Sequence, residues 1–298
     1  MMKLLSTGAM LSSVILISTQ TNAGIIAQDS FSVNDYTAGN IKNQNPATPG
    51  FSGDWDTTTS GYHSQNSTSY TAAIPNIAGY IHFPGGSSPA DRQATRSLTS
   101  YVGSGTYYFS FVSIRRGWGT EDTYANGTKK EVSIGFSNTG NTEQVGIGYA
   151  FRNDDSSTVH PSLVIKAGGQ NVLASIGESN FNDVLTTVMK LELDVSGSQD
   201  RLSWYVANGV ADFSTEANAN LNATTKGTLE TDILSSATSL SQLLLRSPDR
   251  SGQVNWDEAA FTTTWAEAVG EPVPEPASFA MLGLGALLGI RRGKQKIA

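Results

Sequence analysis

The stretch Val145-Gly146-Ile147-Gly148-Tyr149-Ala150-Phe151 alternates large apolar residues with glycine or alanine. A second stretch, Lys190-Leu191-Glu192-Leu193-Asp194-Val195, alternates apolar with charged residues in the same way. Such alternation places the apolar side chains on one face of an extended segment, so both stretches predict half-buried β-strands. The fold is therefore expected to be built from sheets that each have one apolar face.

Weaker alternation of the same kind predicts further strands at residues 25–33, 107–114, 131–136, 162–166, 201–206, 240–246 and 255–263. Nine or more strands without a clear helical period predict an all-β fold of two packed antiparallel sheets, a jelly-roll sandwich. A short helix is expected around residues 218–232. Because no repeat and no linker interrupts the segment, residues 24–267 are expected to form one domain.

Charge and cysteine content exclude several classes of function. The net charge is −7, and basic residues concentrate at the two ends, at Lys3, Arg291, Arg292, Lys294 and Lys296. Residues 24–276 keep 14 basic and 26 acidic residues, and this excess of negative charge argues against a nucleic-acid partner. The absence of cysteine excludes disulfides, thiolate metal sites and Cys-based catalysis.

The N-terminus has the pattern of a signal peptide over residues 1–23. Lys3 precedes a short apolar run from Leu4 to Ile17, and small residues then lead to a predicted cleavage between Ala23 and Gly24 by signal peptidase. An uncleaved anchor is the alternative, and the shortness of the run argues against it.

The C-terminus, residues 268–298, combines an extended motif, an apolar run and a basic cluster. The uncharged run Ala277–Ile290 would form a helix of roughly 21 Å, shorter than a bilayer core of about 30 Å, so it suits a temporary anchor. The basic residues Arg291 and Arg292 are expected to stay cytoplasmic, which places residues 24–276 across the membrane.

Val273-Pro274-Glu275-Pro276-Ala277-Ser278, the following glycine- and leucine-rich run, and Arg291-Arg292 together resemble the PEP-CTERM sorting signal. In that family, Pro274, Glu275 and Pro276 match the recognition motif, and Arg291 and Arg292 match the basic stop. The resemblance implies an exported protein of a Gram-negative bacterium that is held briefly in the inner membrane, faces the periplasm, and is processed by the membrane peptidase exosortase. Cell surface or extracellular matrix is the implied destination.

The mature segment resembles concanavalin A-like (laminin-G-like) domains. The resemblance is carried by Asp29-Ser30-Phe31, Asp35-Tyr36-Thr37-Ala38-Gly39, Gly50-Phe51-Ser52-Gly53-Asp54-Trp55, Arg96-Ser97-Leu98, Tyr108-Phe109-Ser110-Phe111, Trp256-Asp257-Glu258 and Thr264-Trp265-Ala266. It implies a sandwich in which the first and last strands pair, and sandwiches of this family often hold a calcium ion. Asp154, Asp155 and Asp249 are the loop candidates for calcium, with solvated turn residues as the alternative.

Enzymatic sites are weakly supported by the sequence. Laminarinase-like enzymes of this fold carry a second glutamate after E-x-D, but Ser196 and Gly197 stand where it would follow Glu192 and Asp194. The pair of carboxylates that glycoside hydrolysis requires is therefore missing, and Glu192 is interpreted as a solvent-facing strand residue. The three histidines lie near no G-x-S-x-G motif and lack the spacing of a metal site.

Glycan binding needs an exposed aromatic face beside hydrogen-bonding groups. Trp118, next to Arg116 and between Gly117 and Gly119, is the first candidate, with core packing as the alternative. Trp55 and Tyr62 are second candidates, with His63 beside them, whereas Trp204, Trp256 and Trp265 fall in strands and are expected in the core. The sequence thus predicts a non-enzymatic, polysaccharide- or matrix-binding protein, with an unconventional glycoside hydrolase or a purely structural matrix component as alternatives.

Overall fold

The computed structural model describes residues 24–32, 34–58, 62–65, 72–75, 79–83, 92–116, 130–140, 142–153, 159–175, 183–193, 199–234, 239–247 and 253–270. Gly24–Val273 forms one compact unit, and every described strand pairing lies within it. A second unit, Met1–Ala23 with Pro274–Ala298, lies outside the described residues. Residues 24–273 therefore hold the complete described sandwich.

In chain order the strands are β1 (Ile25–Asp29), β2 (Gly39–Asn40), β3 (Phe51–Thr57), β4 (His63–Gln65), β5 (Tyr80–Phe83), β6 (Arg92–Val102), β7 (Gly105–Arg116), β8 (Lys130–Ser137), β9 (Glu143–Asn153), β10 (Val159–Ala167), β11 (Gln170–Ser175), β12 (Val184–Leu193), β13 (Asp200–Asn208), β14 (Thr225–Thr231), β15 (Leu240–Ser247) and β16 (Gln253–Thr262). The helices are α1 (Glu216–Asn222) and α2 (Trp265–Ala268).

The strands form two antiparallel sheets. The first sheet runs in the order β14, β13, β12, β7, β16, β5, β4, β2, and β1 pairs with the part of β16 that β5 leaves open. The second sheet runs in the order β11, β10, β9, β8, β15, β6, β3. Strands that are distant in sequence are neighbours in both sheets, as expected for a jelly roll.

The main core lies between the two sheets and is rich in aromatic rings. Phe136 of the second sheet packs against Phe109 and Phe261 of the first, with ring centroids 4.7 and 4.3 Å apart. The alternating residues that predicted β9 and β12 supply part of this core, since Val145, Ile147, Leu191 and Leu193 are all fully buried. Burial of the two apolar faces against each other stabilises the packing of the two sheets.

A smaller apolar cluster covers part of the outer face of the first sheet. Phe213 and Ala219 from the α1 region and Trp265 and Val269 from the α2 region pack on Val112, Val188 and Ala207 of the strands. Trp265 also donates its indole N–H to the carbonyl oxygen of Phe213 at 2.7 Å. Both helices begin with a threonine whose side chain accepts a backbone N–H, which satisfies a donor that the first turn leaves open.

The predicted all-β, two-sheet antiparallel jelly-roll sandwich is confirmed, and so is the pairing of the first strand with the last. The helix expected around residues 218–232 is shorter and earlier, because Thr225–Thr231 pairs with β13 as a strand instead. Within the described part of the chain, no helix has both the length and the apolar character needed to cross a bilayer. The predicted helix of residues 277–290 lies outside that part.

Candidate functional site

Several predicted site residues lie outside the described residues. They are Ala23 of the signal cleavage, Trp118, the calcium candidates Asp154, Asp155 and Asp249, and Pro274, Glu275, Pro276, Arg291 and Arg292 of the sorting motif. Gly24 is described, and its carbonyl oxygen accepts the backbone N–H of Thr263. Arg116 is the last residue of β7, where its backbone pairs with Gln253 of β16.

The second glycan candidates, Trp55 and Tyr62, do not present open rings. Both are fully buried in the main core. Trp55 donates its indole N–H to the Tyr36 hydroxyl at 2.8 Å, and Tyr62 packs against Phe83 with ring centroids 5.1 Å apart. The prediction that these two residues bind a glycan is therefore wrong, because a sugar cannot reach a ring that has no exposed face.

Glu192 lies on the outer face of the first sheet, as the alternation of β12 predicted. Its carboxylate is 3.7 Å from the ammonium group of Lys190 and 3.8 Å from the guanidinium group of Arg201. Lys190 also contacts Glu216 of α1 at 3.2 Å. This arrangement is a partly exposed charge network, the ordinary polar face of a strand at the surface.

The outer face of the second sheet carries a groove with a floor of very small residues. Gly146 and Gly148 of β9 lie opposite Gly135 and Ser133 of β8, and their neighbours Ile134 and Ile147 point into the core. A Cβ atom on Gly135 would come within 2.1 Å of the carbonyl oxygen of Val145, and one on Gly148 within 1.8 Å of that of Val132. Larger residues would push the strands apart, so the floor requires glycine.

Four charged side chains from four strands meet over this floor, and we call them the groove charges: Glu131, Glu143, Lys166 and Arg246. The ammonium group of Lys166 lies 3.0 Å from Glu131 and 3.3 Å from Glu143, and Arg246 lies 3.6 Å from Glu143. Glu143 also accepts the hydroxyl of Ser133 at 2.7 Å. The exposed side-chain fraction is 3% for Glu143 and 10% for Lys166, so the cluster is largely withdrawn from water.

A hollow of about 270 Å³ opens beside the groove charges. Ala167, Gly169 and Gln170 at the turn between β10 and β11 complete its lining. The hollow offers both carboxylate acceptors and cationic donors within one small volume. A hydroxyl group can donate a hydrogen bond to the carboxylates and accept one from the cationic groups, so the arrangement suits a ligand rich in hydroxyls.

Sequence reasoning missed all four groove charges. They are spread over more than a hundred residues, and none belongs to a motif with short spacing. One signal was available in the sequence. Gly146 and Gly148 alternate with core residues inside the strand β9, where no turn requires glycine. Within the described residues there is no cluster of three or more histidine, cysteine or acidic side chains placed to hold a metal ion.

Comparison with known proteins identifies a sequence motif near the C-terminus. A family model described as "PEP-CTERM protein-sorting motif" matches residues 272–294. The chain carries a PEP-CTERM sorting motif. The prediction made from Pro274, Glu275, Pro276 and the Arg291-Arg292 pair is confirmed, and the motif indicates an exported protein that exosortase recognises and processes.

Solved structures similar to this chain share little of its sequence. The globular domain of T. cruzi calreticulin has 8% identity and a TM-score of 0.42, with 82% of this chain and 90% of that chain covered. Winged bean acidic lectin complexed with methyl-α-D-galactose has 8% identity and a TM-score of 0.40, with 70% and 98% covered. The marine PL-14 alginate lyase from Aplysia kurodai has 6% identity and a TM-score of 0.37, with 66% and 86% covered. No curated protein matches the sequence.

Proposed function

We propose that this exported protein binds neutral polysaccharide through the groove charges and does not cleave it. Its place of action is the cell surface or extracellular matrix of a Gram-negative bacterium, reached after a brief stay in the inner membrane. The groove on the second sheet is the observation that carries the proposal. Three features of that groove support it: the glycine floor, the mixed charges and the adjoining hollow.

The charge balance of the groove selects the class of polysaccharide. Glu131 and Glu143 offset Lys166 and Arg246, so the four side chains carry no net charge. A polyanion would need an excess of cationic groups, whereas hydroxyls of a neutral sugar need donors and acceptors in similar number. Residues 24–276 carry 26 acidic and only 14 basic residues, which disfavours a polyanion for the same reason.

Hydrolysis is the weaker alternative. Both groove carboxylates contact the same ammonium group of Lys166, and a general acid needs a carboxyl group that holds a proton it can give to the leaving oxygen. At Glu192 the neighbouring charges are Lys190 and Arg201, and the sequence offers no second glutamate two or three residues beyond Asp194. We therefore expect Glu192→Gln to leave any carbohydrate activity unchanged.

A glycan array with residues 24–273 tests the proposal. We expect binding to neutral polysaccharides, and we expect Glu143→Gln to weaken it by about 10-fold or more, because one charge-assisted acceptor is lost. Glu192→Gln on the first sheet is the matched control and should bind as the wild type does. Hydrolysis of a bound glycan, or the absence of binding to any polysaccharide, would favour the enzymatic or the purely structural alternative.

Intact-mass analysis of the exported protein tests its processing. Cleavage at the motif should remove about the last 25 residues, because the apolar run is too short for a stable anchor. The N-terminus should be Gly24. An exported form that retains Ile297 and Ala298 would contradict this part of the proposal.

A further inference from the structure

Four strands of the first sheet place a row of polar side chains on its outer face. Asn40 of β2 lies opposite His63 of β4, His63 lies opposite His82 of β5, and His82 lies opposite Asn255 of β16. Residues directly opposite each other in antiparallel strands point to the same side of the sheet. The two histidines, which are 19 positions apart in sequence, therefore become immediate neighbours.

Neighbouring residues of the same strands confirm which side the row occupies. Ile81 and Phe83, on either side of His82, are fully buried in the core between the sheets. Trp256, which follows Asn255, is also in that core. The row thus lies on the face away from the core, and His63 and His82 are half-buried there.

A hydrogen bond fixes the ring of His82. Its Nδ1 lies 2.7 Å from Oδ1 of Asn255, so the ring nitrogen donates its proton to the amide oxygen. Asn255 is 1% exposed, so water has little access to this bond. Tyr80 packs edge-on against the same ring, with centroids 6.4 Å apart. A proton on Nδ1 puts the lone pair of the neutral ring on Nε2, the arrangement by which proteins orient a metal-binding histidine.

We propose that His63 and His82 together bind one divalent transition-metal ion, of the Zn²⁺, Ni²⁺ or Cu²⁺ class, with Asn255 as a positioning residue. Imidazole nitrogen is a preferred ligand for these ions. Directly opposed Cβ atoms lie about 4.5–5.5 Å apart, close enough for two rings to converge on one ion at about 2.0–2.1 Å. Water would fill the other positions of coordination.

His63 also borders open space on the side of its strand that faces β2. A hollow of about 310 Å³ adjoins β2 and β4 and is lined by Ala38, Gly39, His63, Ser64 and Gln65. His63 and His82 lie on different strands, so the spacing of histidines along one element does not predict this pair. Pairing of β4 with β5 creates the proximity instead, and no spacing rule within one strand can reveal it.

Titration of tag-free residues 24–273 with Cu²⁺ tests the proposal, followed by calorimetry and by electron paramagnetic resonance on protein labelled with ¹⁵N-histidine. We expect one ion per chain with nitrogen couplings from two imidazoles. His63→Ala and His82→Ala should each weaken binding by about 10-fold or more, and Asn255→Leu by about 10- to 100-fold, as for other residues that orient a ligand.

His160 provides the matched control because it lies in β10 of the other sheet, where it pairs with Arg152. His160→Ala should leave the titration unchanged. Absence of a bound ion, a spectrum with a single imidazole, or loss of binding in His160→Ala alone would overturn the proposal. The spectrum of the wild-type protein decides the matter even if a variant fails to fold. Glycan binding at the groove is independent of each of these outcomes.

Discussion

Asp29 and Asp257 lie on the neighbouring strands β1 and β16, and both are almost completely buried. Asp29 accepts three hydrogen bonds, from the Tyr36 hydroxyl at 2.5 Å, the Arg96 guanidinium at 2.9 Å and the Phe31 N–H at 3.0 Å. Asp257 accepts one, from the N–H of Glu258 at 2.9 Å, and its Oδ2 has no partner among the described residues. Three donors thus stabilise the ionised carboxylate of Asp29, whereas Asp257 has a single donor within the described residues.

The pKa values of the two carboxyl groups follow from these surroundings. Burial raises the pKa of Asp29 to about 6, while Tyr36, the Phe31 N–H and Arg96 act in the opposite direction. Burial and then the charge of Glu258 raise the pKa of Asp257 to about 9. At neutral pH Asp29 is mainly ionised and Asp257 is mainly protonated. Buried aspartate keeps its charge only where donors surround it.

The largest effect is expected for Arg96→Leu. Arg96 is 1% exposed, and its loss would leave the charge of Asp29 buried without its cation. Removing one partner of a buried pair costs about 3–5 kcal/mol of unfolding free energy. Denaturant unfolding measures this loss, and Arg96→Leu combined with Asp29→Leu is the control that should recover much of it. An unchanged midpoint would mean that the pair does not stabilise Asp29.

Asp257→Asn is expected to change the pH dependence of stability. Folding raises the pKa of Asp257 from 3.8 to about 9, so the folded state holds this proton more tightly. Its contribution is fully present below pH 3.8 and is lost as pH rises toward 9. Between pH 5 and pH 8 the wild-type protein should lose on the order of 2–4 kcal/mol relative to the variant.

Unfolding free energies of both proteins at pH 5, 6, 7 and 8 measure this difference. Asp29 adds a loss of the same sign only up to its pKa of about 6, so the range from pH 6 to pH 8 isolates Asp257. Parallel curves for wild type and variant over that range would show that Asp257 is ionised in the folded protein. The two carboxyl groups would then not differ in protonation at neutral pH.

A smaller effect is expected for Trp55→Phe, which removes the indole donor to the Tyr36 hydroxyl while keeping an aromatic ring. Loss of this buried hydrogen bond and of part of the ring should cost about 1–2 kcal/mol of unfolding free energy. Trp204→Phe is a matched control, because the buried indole N–H of Trp204 has no hydrogen-bond partner within the described part of the chain. Equal losses in thermal unfolding for both variants would show that the bond to Tyr36 contributes nothing.

The smallest effect is expected for Arg201→Leu. Arg201 and Glu230 form an ion pair at 2.8 Å, but both side chains are about half exposed. Exposed pairs contribute little because water and salt screen them. The midpoint of denaturant unfolding should shift by no more than its experimental uncertainty, and a loss as large as that of Arg96→Leu would refute burial as the cause of the difference.

The sequence predicted those parts of the fold where one strand face is apolar. β9, β12 and the paired strands β1 and β16 follow from alternation. β6 was missed because it carries Arg96 into the core, where hydrophobic patterning expects an apolar residue. Its pairing with Asp29 spans 67 positions, and sequence alone gives no sign of such a contact.

The candidate sites were harder to predict than the fold for a related reason. Trp55 follows Gly53 and Asp54, a composition typical of an exposed turn, yet its ring is buried against the Asp29 network. Glu131, Glu143, Lys166 and Arg246 become neighbours only through strand pairing in the second sheet. By contrast, the sorting motif is continuous in sequence, and it was predicted in full.

Calorimetric titration of a neutral polysaccharide that residues 24–273 bind tests the central claim most directly. Lys166 and Lys190 form a matched pair, since each contacts two glutamates, but only Lys166 lies in the groove. We expect Lys166→Met to weaken binding by about 10-fold or more, and Lys190→Met to leave it unchanged, because only one of them removes a donor to the sugar. Equal affinity of both variants and the wild type, with all three folded, would contradict a binding site at the groove charges.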